Sequence, residues 1–175
     1  MANEIERGAL YVVGTPIGNL SDITERAKHV LDNVNFVAAE DTRVSGKLLS
    51  VLGIKNSFVS YHEHNKAQAG EVIVERLLSG EAGAIVTDAG IPAISDPGED
   101  LVRLCHEKGI KVIPVPGACA FVTALSASGF ASRRFSFEGF LSVNKPQRKK
   151  HLDEIKEMPS DKVREHFEKK ETMMR

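Results

Sequence analysis

"LYVVGTPIGNLSDITERAKHVLDNV", residues 10–34, carries a β-branched apolar run into Gly14, a turn holding Pro16 and Gly18, and then apolar positions at helical spacing. Ile23, Ala27, Val30 and Leu31 recur at the interval of an amphipathic helix, and Asp22 stands where an N-cap is expected. A buried strand feeding a helix through a glycine turn is the building unit of an α/β sheet. A dinucleotide fingerprint needs more: Gly-x-Gly-x-x-Gly leading straight into a helix whose amides hold a pyrophosphate. Here Pro16 lies between the two glycines, removes an amide donor, and biases Thr15 toward extended backbone. The loop is therefore a stiff, poor phosphate cradle. Its carbonyls and Thr15 are still able to line a pocket.

The same unit recurs along the chain. Strand-like runs read "NFVAAE" (35–40), "SFVSYH" (57–62), "GAIVTD" (83–88) and "KVIPV" (111–115). Helical segments lie between them: "RVSGKLLSVLG" (43–53), "AQAGEVIVERLLSG" (67–80) with Val72, Leu77 and Leu78 on its apolar side, and "GEDLVRLCHEKG" (98–109). A last helix is expected in "CAFVTALSAS" (119–128). Continuous apolar strands alternating with helices predict an α/β fold, a parallel five-stranded sheet with helices on both faces and right-handed crossovers. Residues 1–139 read as one α/β domain. "RRFSFEGFL" (133–141) reads as a short strand leaving it, and residues 140–175 as a charged linker and helix leading to a truncated second domain.

Composition narrows the classes. The 175 residues are 42% hydrophobic and 27% charged with a net charge of −1, so no global field draws the chain to nucleic acid or membrane. The two cysteines, Cys105 and Cys119, form no metal or redox pair, which favours reduced thiols in a cytoplasmic protein. The polar "MANEIERGAL" start does not read as a signal peptide, and the most apolar stretch, residues 118–130, is too short to span a bilayer.

In a parallel sheet all strand ends open onto one rim, where ligands of open α/β sheets bind. The polar, Gly and Pro residues of this chain gather there: Gly14-Thr15-Pro16, Glu40-Asp41, His62-Glu63-His64, "TDAGIPAISDPG" (87–98) and Pro116-Gly117-Ala118-Cys119. Glu40 and Asp41 follow the first glycine at about the distance of a ribose-binding acid, which supports an NAD-type reading that the glycine pattern weakens. Within 87–98, Gly90 permits close backbone approach, and Pro92 and Pro97 stiffen a loop suited to a small polar ligand such as an amino-acid moiety. His62 and His64 share a strand face but lack the further ligands a metal needs, so no metal is expected. No His/Asp pattern marks Cys119 as a nucleophile, and it reads as a small residue at a helix start. Lys145, Arg148, Lys149 and Lys150, beside His151, either touch RNA phosphates or form a solvated helix face.

Taken together, "LYVVGTPIGNLSDIT", "AAEDTR", "SYHEHN", "TDAGIPAISDPG" and "PVPGACA" closely resemble the ribosomal RNA (cytidine-2′-O)-methyltransferase branch of the tetrapyrrole methylase superfamily, over about Leu10 to Ile155. The resemblance implies S-adenosylmethionine as methyl donor, a cytidine ribose 2′-hydroxyl in the decoding region of 16S rRNA in the small ribosomal subunit as acceptor, and a cytoplasmic homodimer without metal or membrane. It places Thr15, Pro16, Asp88, Gly90, Ile91, Ile94, Ala118 and Cys119 at the cofactor cleft. A donor without phosphate has no use for the missing amides. Many tetrapyrrole-modifying relatives carry aspartate where this chain has Ile91, which favours the RNA branch. The resemblance also implies a second α/β domain, with "KKETMMR" (169–175) as the entry to its first strand.

The proton of a ribose hydroxyl needs an acceptor, and Glu40, Asp41 and His62, at strand ends, are the candidates. Asp22 and Asp88 read as either structural or catalytic. The alternatives are a precorrin-type tetrapyrrole methyltransferase and an inactive nucleotide- or RNA-binding module.

Overall fold

The computed structural model describes residues 4–157. Its five strands are β1 (Ala9–Val13), β2 (Phe36–Ala39), β3 (Phe58–Ser60), β4 (Gly83–Val86) and β5 (Lys111–Val115). The helices are α1 (Glu25–Asn33), α2 (Thr42–Val51), α3 (Lys66–Leu78), α4 (Glu99–Glu107), α5 (Ala120–Ala127) and α6 (Lys145–Glu157). The strands form one parallel sheet in the order β3-β2-β4-β1-β5. This is the α/β architecture the alternating pattern predicts.

Strand alternation divides the core in two. Ala9, Tyr11 and Val13 of β1, with Val37 and Ala39 of β2, pack with Ala27, Val30 and Leu31 of α1 and Leu49 of α2. Leu10, Phe36, Ala38 and Ile85 face the other way, onto Ile73, Val74 and Leu77 of α3 and Leu101 and Cys105 of α4. The chain runs outward through β2 and β3, then returns through β4 to β5. Crossovers of one hand switch faces when the direction along a sheet reverses. Helices α1 and α2 therefore cover one face, and α3 and α4 the other.

Three local expectations need correction. Asp22 does not cap α1. It ends a short 3-10 turn, Leu20–Asp22, that Asn19 caps, and the α1 cap is Thr24, whose hydroxyl accepts from the Ala27 amide at 3.0 Å. On α3 the buried positions are Ala69, Gly70, Ile73, Val74 and Leu77, whereas Val72 and Leu78 are exposed. In "VIVERLL" two stripes are almost equally apolar, and the one facing Leu10 and Ile85 is buried. Residues 133–141 form no strand: Phe-Ser-Phe-Glu imitates a period of two, but the segment pairs with no ladder, bends at Arg133-Arg134 and takes a left-handed φ (+67°) at Gly139.

Two compact units are distinguished, Met1–Ala120 and Phe121–Arg175. The first holds the whole sheet. Among the described residues, the second holds nearly all of α5, residues 128–144 and α6. The stretch 169–175, expected to open a further strand, lies outside the described residues.

Candidate functional site at the carboxyl rim of the sheet

The loops after β1, β4 and β5 are clasped by backbone. Thr15 donates its amide to the Gly90 carbonyl at 2.8 Å, and the Gly90 amide returns to the Thr15 carbonyl at 3.2 Å. The Thr15 side chain is buried and its hydroxyl donates to the Thr87 carbonyl at 3.1 Å. Thr15 thus positions the loop after β4. Gly14 and Gly117 meet so closely that a Cβ on Gly14 would lie 2.8 Å from the Gly117 Cα. Both contacts are backbone, so neither side can yield. Gly90, at φ +94°, would direct a side chain toward Ile17 Cγ2 at 3.5 Å and the Ala118 carbonyl at 3.9 Å.

The long loop after β4 doubles back on itself. Gly90 and Gly98 take positive φ, and so do two residues with side chains, Ala93 (φ 66°) and Ser95 (φ 60°). Such conformations are held only where the surroundings over-determine them. Here Pro92 and Gly98 are buried, and Gly98 packs beneath Ile85 and Ala93. Of the cleft candidates, Pro16, Ile91, Ala118 and Cys119 are half-buried, and Ile94 and Asp88 are exposed.

Folding the loop back brings carboxylates together. The Glu40 carboxyl is raised above its ordinary range, first by burial and then by the negative charges of Asp88 and Asp96, while His62 opposes the shift. Asp96 is raised likewise, by burial and by Asp88. His62 adds an orphan: its Nδ1 is buried with no hydrogen-bond partner, while its amide is fixed by Asn65 Oδ1 at 2.8 Å. Asp41 is engaged elsewhere. It caps α2, its Oδ1 accepting from the Arg43 amide at 2.8 Å and its Oδ2 from Arg43 Nη2 at 2.7 Å. Those bonds hold its carboxyl far below the usual range.

Glu40, His62 and Asp88 therefore form one electrostatic group, with Thr15, Gly90 and Ala118 as a clasp in the adjoining loops. Asp96 is the member that sequence reasoning missed as a site residue. The only available signal was a second aspartate in a loop punctuated by Gly and Pro.

The rim suits a cationic ligand without phosphate. Crowded carboxylates repel one another, and a positive centre would relieve them. Pro16 offers no amide and the Thr15 amide is committed to Gly90, which suits a donor that asks for no phosphate cradle. S-adenosylmethionine, with a sulfonium and an ammonium group, fits that donor set. Glu40, Asp88 and Asp96 would answer its charge, and the loops at Gly90 and Ala118 would border its body. No cluster of three or more His, Cys, Asp or Glu among the described residues could hold a metal ion. No helix among them is long and apolar enough to cross a membrane.

Comparison with known proteins gives the family. The family model for tetrapyrrole (corrin/porphyrin) methylases matches residues 9–171. The ribosomal RNA small subunit methyltransferase I of Haemophilus influenzae is 55% identical over 150 residues, 86% of this chain and 53% of that protein. The protein of the same name from Escherichia coli O157:H7 is 50% identical over 153 residues, 87% of this chain and 54% of its own length. Thus the chain spans about half the length of the curated relatives it matches. Among solved structures, a uroporphyrin-III C-methyltransferase from Thermus thermophilus superposes with a TM-score of 0.53 at 26% identity, covering 73% of this chain and 55% of that one. With its parallel sheet, its phosphate-averse first loop and a family match over nearly its whole length, the chain belongs to the tetrapyrrole methylase family.

Proposed function

We propose that this chain is the donor-binding part of an S-adenosylmethionine-dependent methyltransferase of 16S ribosomal RNA, acting on a cytidine ribose 2′-hydroxyl in the decoding region. The observation that carries this reading is identity at half or more of the aligned positions to proteins named ribosomal RNA small subunit methyltransferase I. The uroporphyrin-III enzyme shares about half that identity, so the tetrapyrrole acceptor is the weaker reading. On the same reading the working protein is a cytoplasmic homodimer acting on the small ribosomal subunit.

When bound, the donor supplies an electrophilic methyl group on sulfur. The protein must hold the acceptor oxygen in line and take its proton. Glu40 suits the second task better than Asp41. A raised carboxyl is a stronger base, and it is not committed to a neighbouring guanidinium. The unpartnered Nδ1 of His62 is a second acceptor beside it. Thr15, Gly14 and Gly117 keep the loops in register around that group.

The test is ligand-linked stability. S-adenosylhomocysteine at about a hundredfold its Kd should add roughly 2.7 kcal/mol and raise the melting temperature by several degrees, while NAD should not. In a chain completed with the part of the relatives' length that it does not span, Glu40→Gln should lower kcat for methyl transfer to 30S subunits more than Asp41→Asn does. Failure of that completed chain to bind either the donor or its demethylated product ends the reading.

A further inference from the structure

The second unit has a surface of its own. In "SRRFSFEGFLSVNKPQRKK" (132–150) cations and aromatic rings interleave. Residues 121–150 carry Arg133, Arg134, Lys145, Arg148, Lys149 and Lys150 against a single acid, Glu138. That acid is not free to offset them. Its side chain is largely buried and approaches His151 Nε2 of α6 at 3.5 Å, which ties the segment to the helix. Among the described residues, Arg133, Arg134, Lys145, Arg148 and Lys149 make no ion pair, and Lys150 reaches only Glu154 at 3.8 Å. A chain with a net charge of −1 thus concentrates positive charge on one short stretch.

The rings lie on the same stretch of sequence. Phe137 packs on Phe121 with centroids 4.6 Å apart, and Phe135 stands 6.1 Å from the same ring. Both remain open, at 50% and 43% exposure for Phe135 and Phe137, and Phe140 is 76% exposed. Rings already held by a neighbour lose little freedom when something stacks on their open side. Cations that follow a backbone, with aromatic faces for successive bases, are the recurring design of single-strand binders.

We propose that residues 133–140 and the basic first turns of α6 form a binding surface for single-stranded RNA, separate from the methyl-transfer group at the sheet rim. The inference rests on RNA being the substrate class, and it adds where that RNA is held. Unpaired bases are required because the bases of an A-form duplex are stacked away and side chains do not enter its deep groove. A contact between two copies of this chain fits less well, since the core of such an interface is depleted of charge.

The experiment uses the 175-residue chain and a fluorescent RNA of about 12 nucleotides and mixed sequence, long enough to fill a single-strand site, as a single strand and as a duplex, with anisotropy read over a salt series. The single strand should bind more tightly than the duplex. Phe135→Leu with Phe140→Leu keeps apolar bulk but removes stacking, and should weaken the single strand about 5- to 100-fold with the salt slope unchanged. Arg133→Gln with Arg134→Gln should flatten the slope of log K against log salt by about 0.7 per arginine. S-adenosylhomocysteine binding by both variants should match the parent. Unchanged RNA affinity in the phenylalanine variant overturns the proposal, as does equal affinity for duplex or no binding at all. So does a dimer that becomes monomeric in that variant while RNA affinity stays constant. Absence of RNA binding by the parent chain with its S-adenosylhomocysteine binding intact rejects this surface alone, whereas absence of the latter in the completed chain rejects the donor reading.

Discussion

Glu40 is the residue at which electrostatics and stability oppose each other. Its carboxyl is raised in the folded chain by burial, then by Asp88 and Asp96. A raised carboxyl binds its proton more tightly folded than unfolded, so its ionisation works against the fold. The penalty is absent below the unfolded carboxylate range, grows as pH rises from there through the elevated folded value, and is complete above it. Glu40→Gln removes the charge and keeps the shape. The ligand-free variant should therefore be more stable than the parent near pH 7, with the difference fading as pH falls toward about 4 and gone below it. Urea denaturation across that pH series checks it. A variant less stable than the parent at neutral pH would mean that Glu40 is held by a favourable contact. Asp41 behaves in the opposite sense. Its lowered carboxyl supports the fold at neutral pH and withdraws that support only in strong acid, as expected of a helix cap.

Among the elements, helix α1 starts where its neighbours allow and not where residue type alone would put it. Two residues compete for its first turn, Asp22 and Thr24, and both are good caps by type. The 3-10 turn at Leu20–Asp22, closed by Asn19 Oδ1 on the Ser21 amide at 3.0 Å, consumes the first and leaves the second. Thr24→Ala should thus cost about 0.5–2 kcal/mol by urea or thermal denaturation, and Asp22→Ala close to nothing. The reverse ranking would restore Asp22 as the cap. Such local competition limits how far the fold was legible in the sequence. Strands β1, β2 and β4 were readable because buried parallel strands are unbroken apolar runs, and the more exposed edge strand β5 because its Val-Ile-Pro-Val run stands between Gly109 and Gly117. The face of α3 was not, because Val72 and Leu78 match Ile73 and Val74 in hydrophobicity and only the opposing sheet selects between them. The rim was legible as a rim, since Gly, Pro and acids cluster after the strands. That Asp96 would join Glu40 was not. The loop must reverse between Asp88 and Asp96, and the reversal depends on left-handed Ala93 and Ser95, residue types that do not announce such a backbone.

At the scale of the whole molecule, apolar burial is distributed unevenly between the two units. The first contains both core clusters, built on hydrogen-bonded strands with Leu10, Phe36, Ile85 and Leu101 fully enclosed. Among the described residues of the second, the buried hydrophobic side chains are Leu125 and Ile155. Opening free energies follow buried contacts, from near zero at poorly packed elements up to the global value in a core. Native-state hydrogen exchange should accordingly show the α6 amides, 145–157, opening at much lower free energy than those of Leu10–Val12 and Ala84–Ile85. Added urea should change the α6 rates little while it accelerates the strands. Cys105 gives an independent marker of the global event: it is fully enclosed by α3, α4 and the sheet, and burial pushes its thiol up to about 11. A thiol reagent at about pH 8, near the ordinary thiol range, should label it only at the rate of complete opening, in step with the strand amides and well behind α6. If α6 instead exchanges with the strands and with the same urea dependence, the two units unfold as one. The second unit would then be stabilised by contacts that its own burial does not supply.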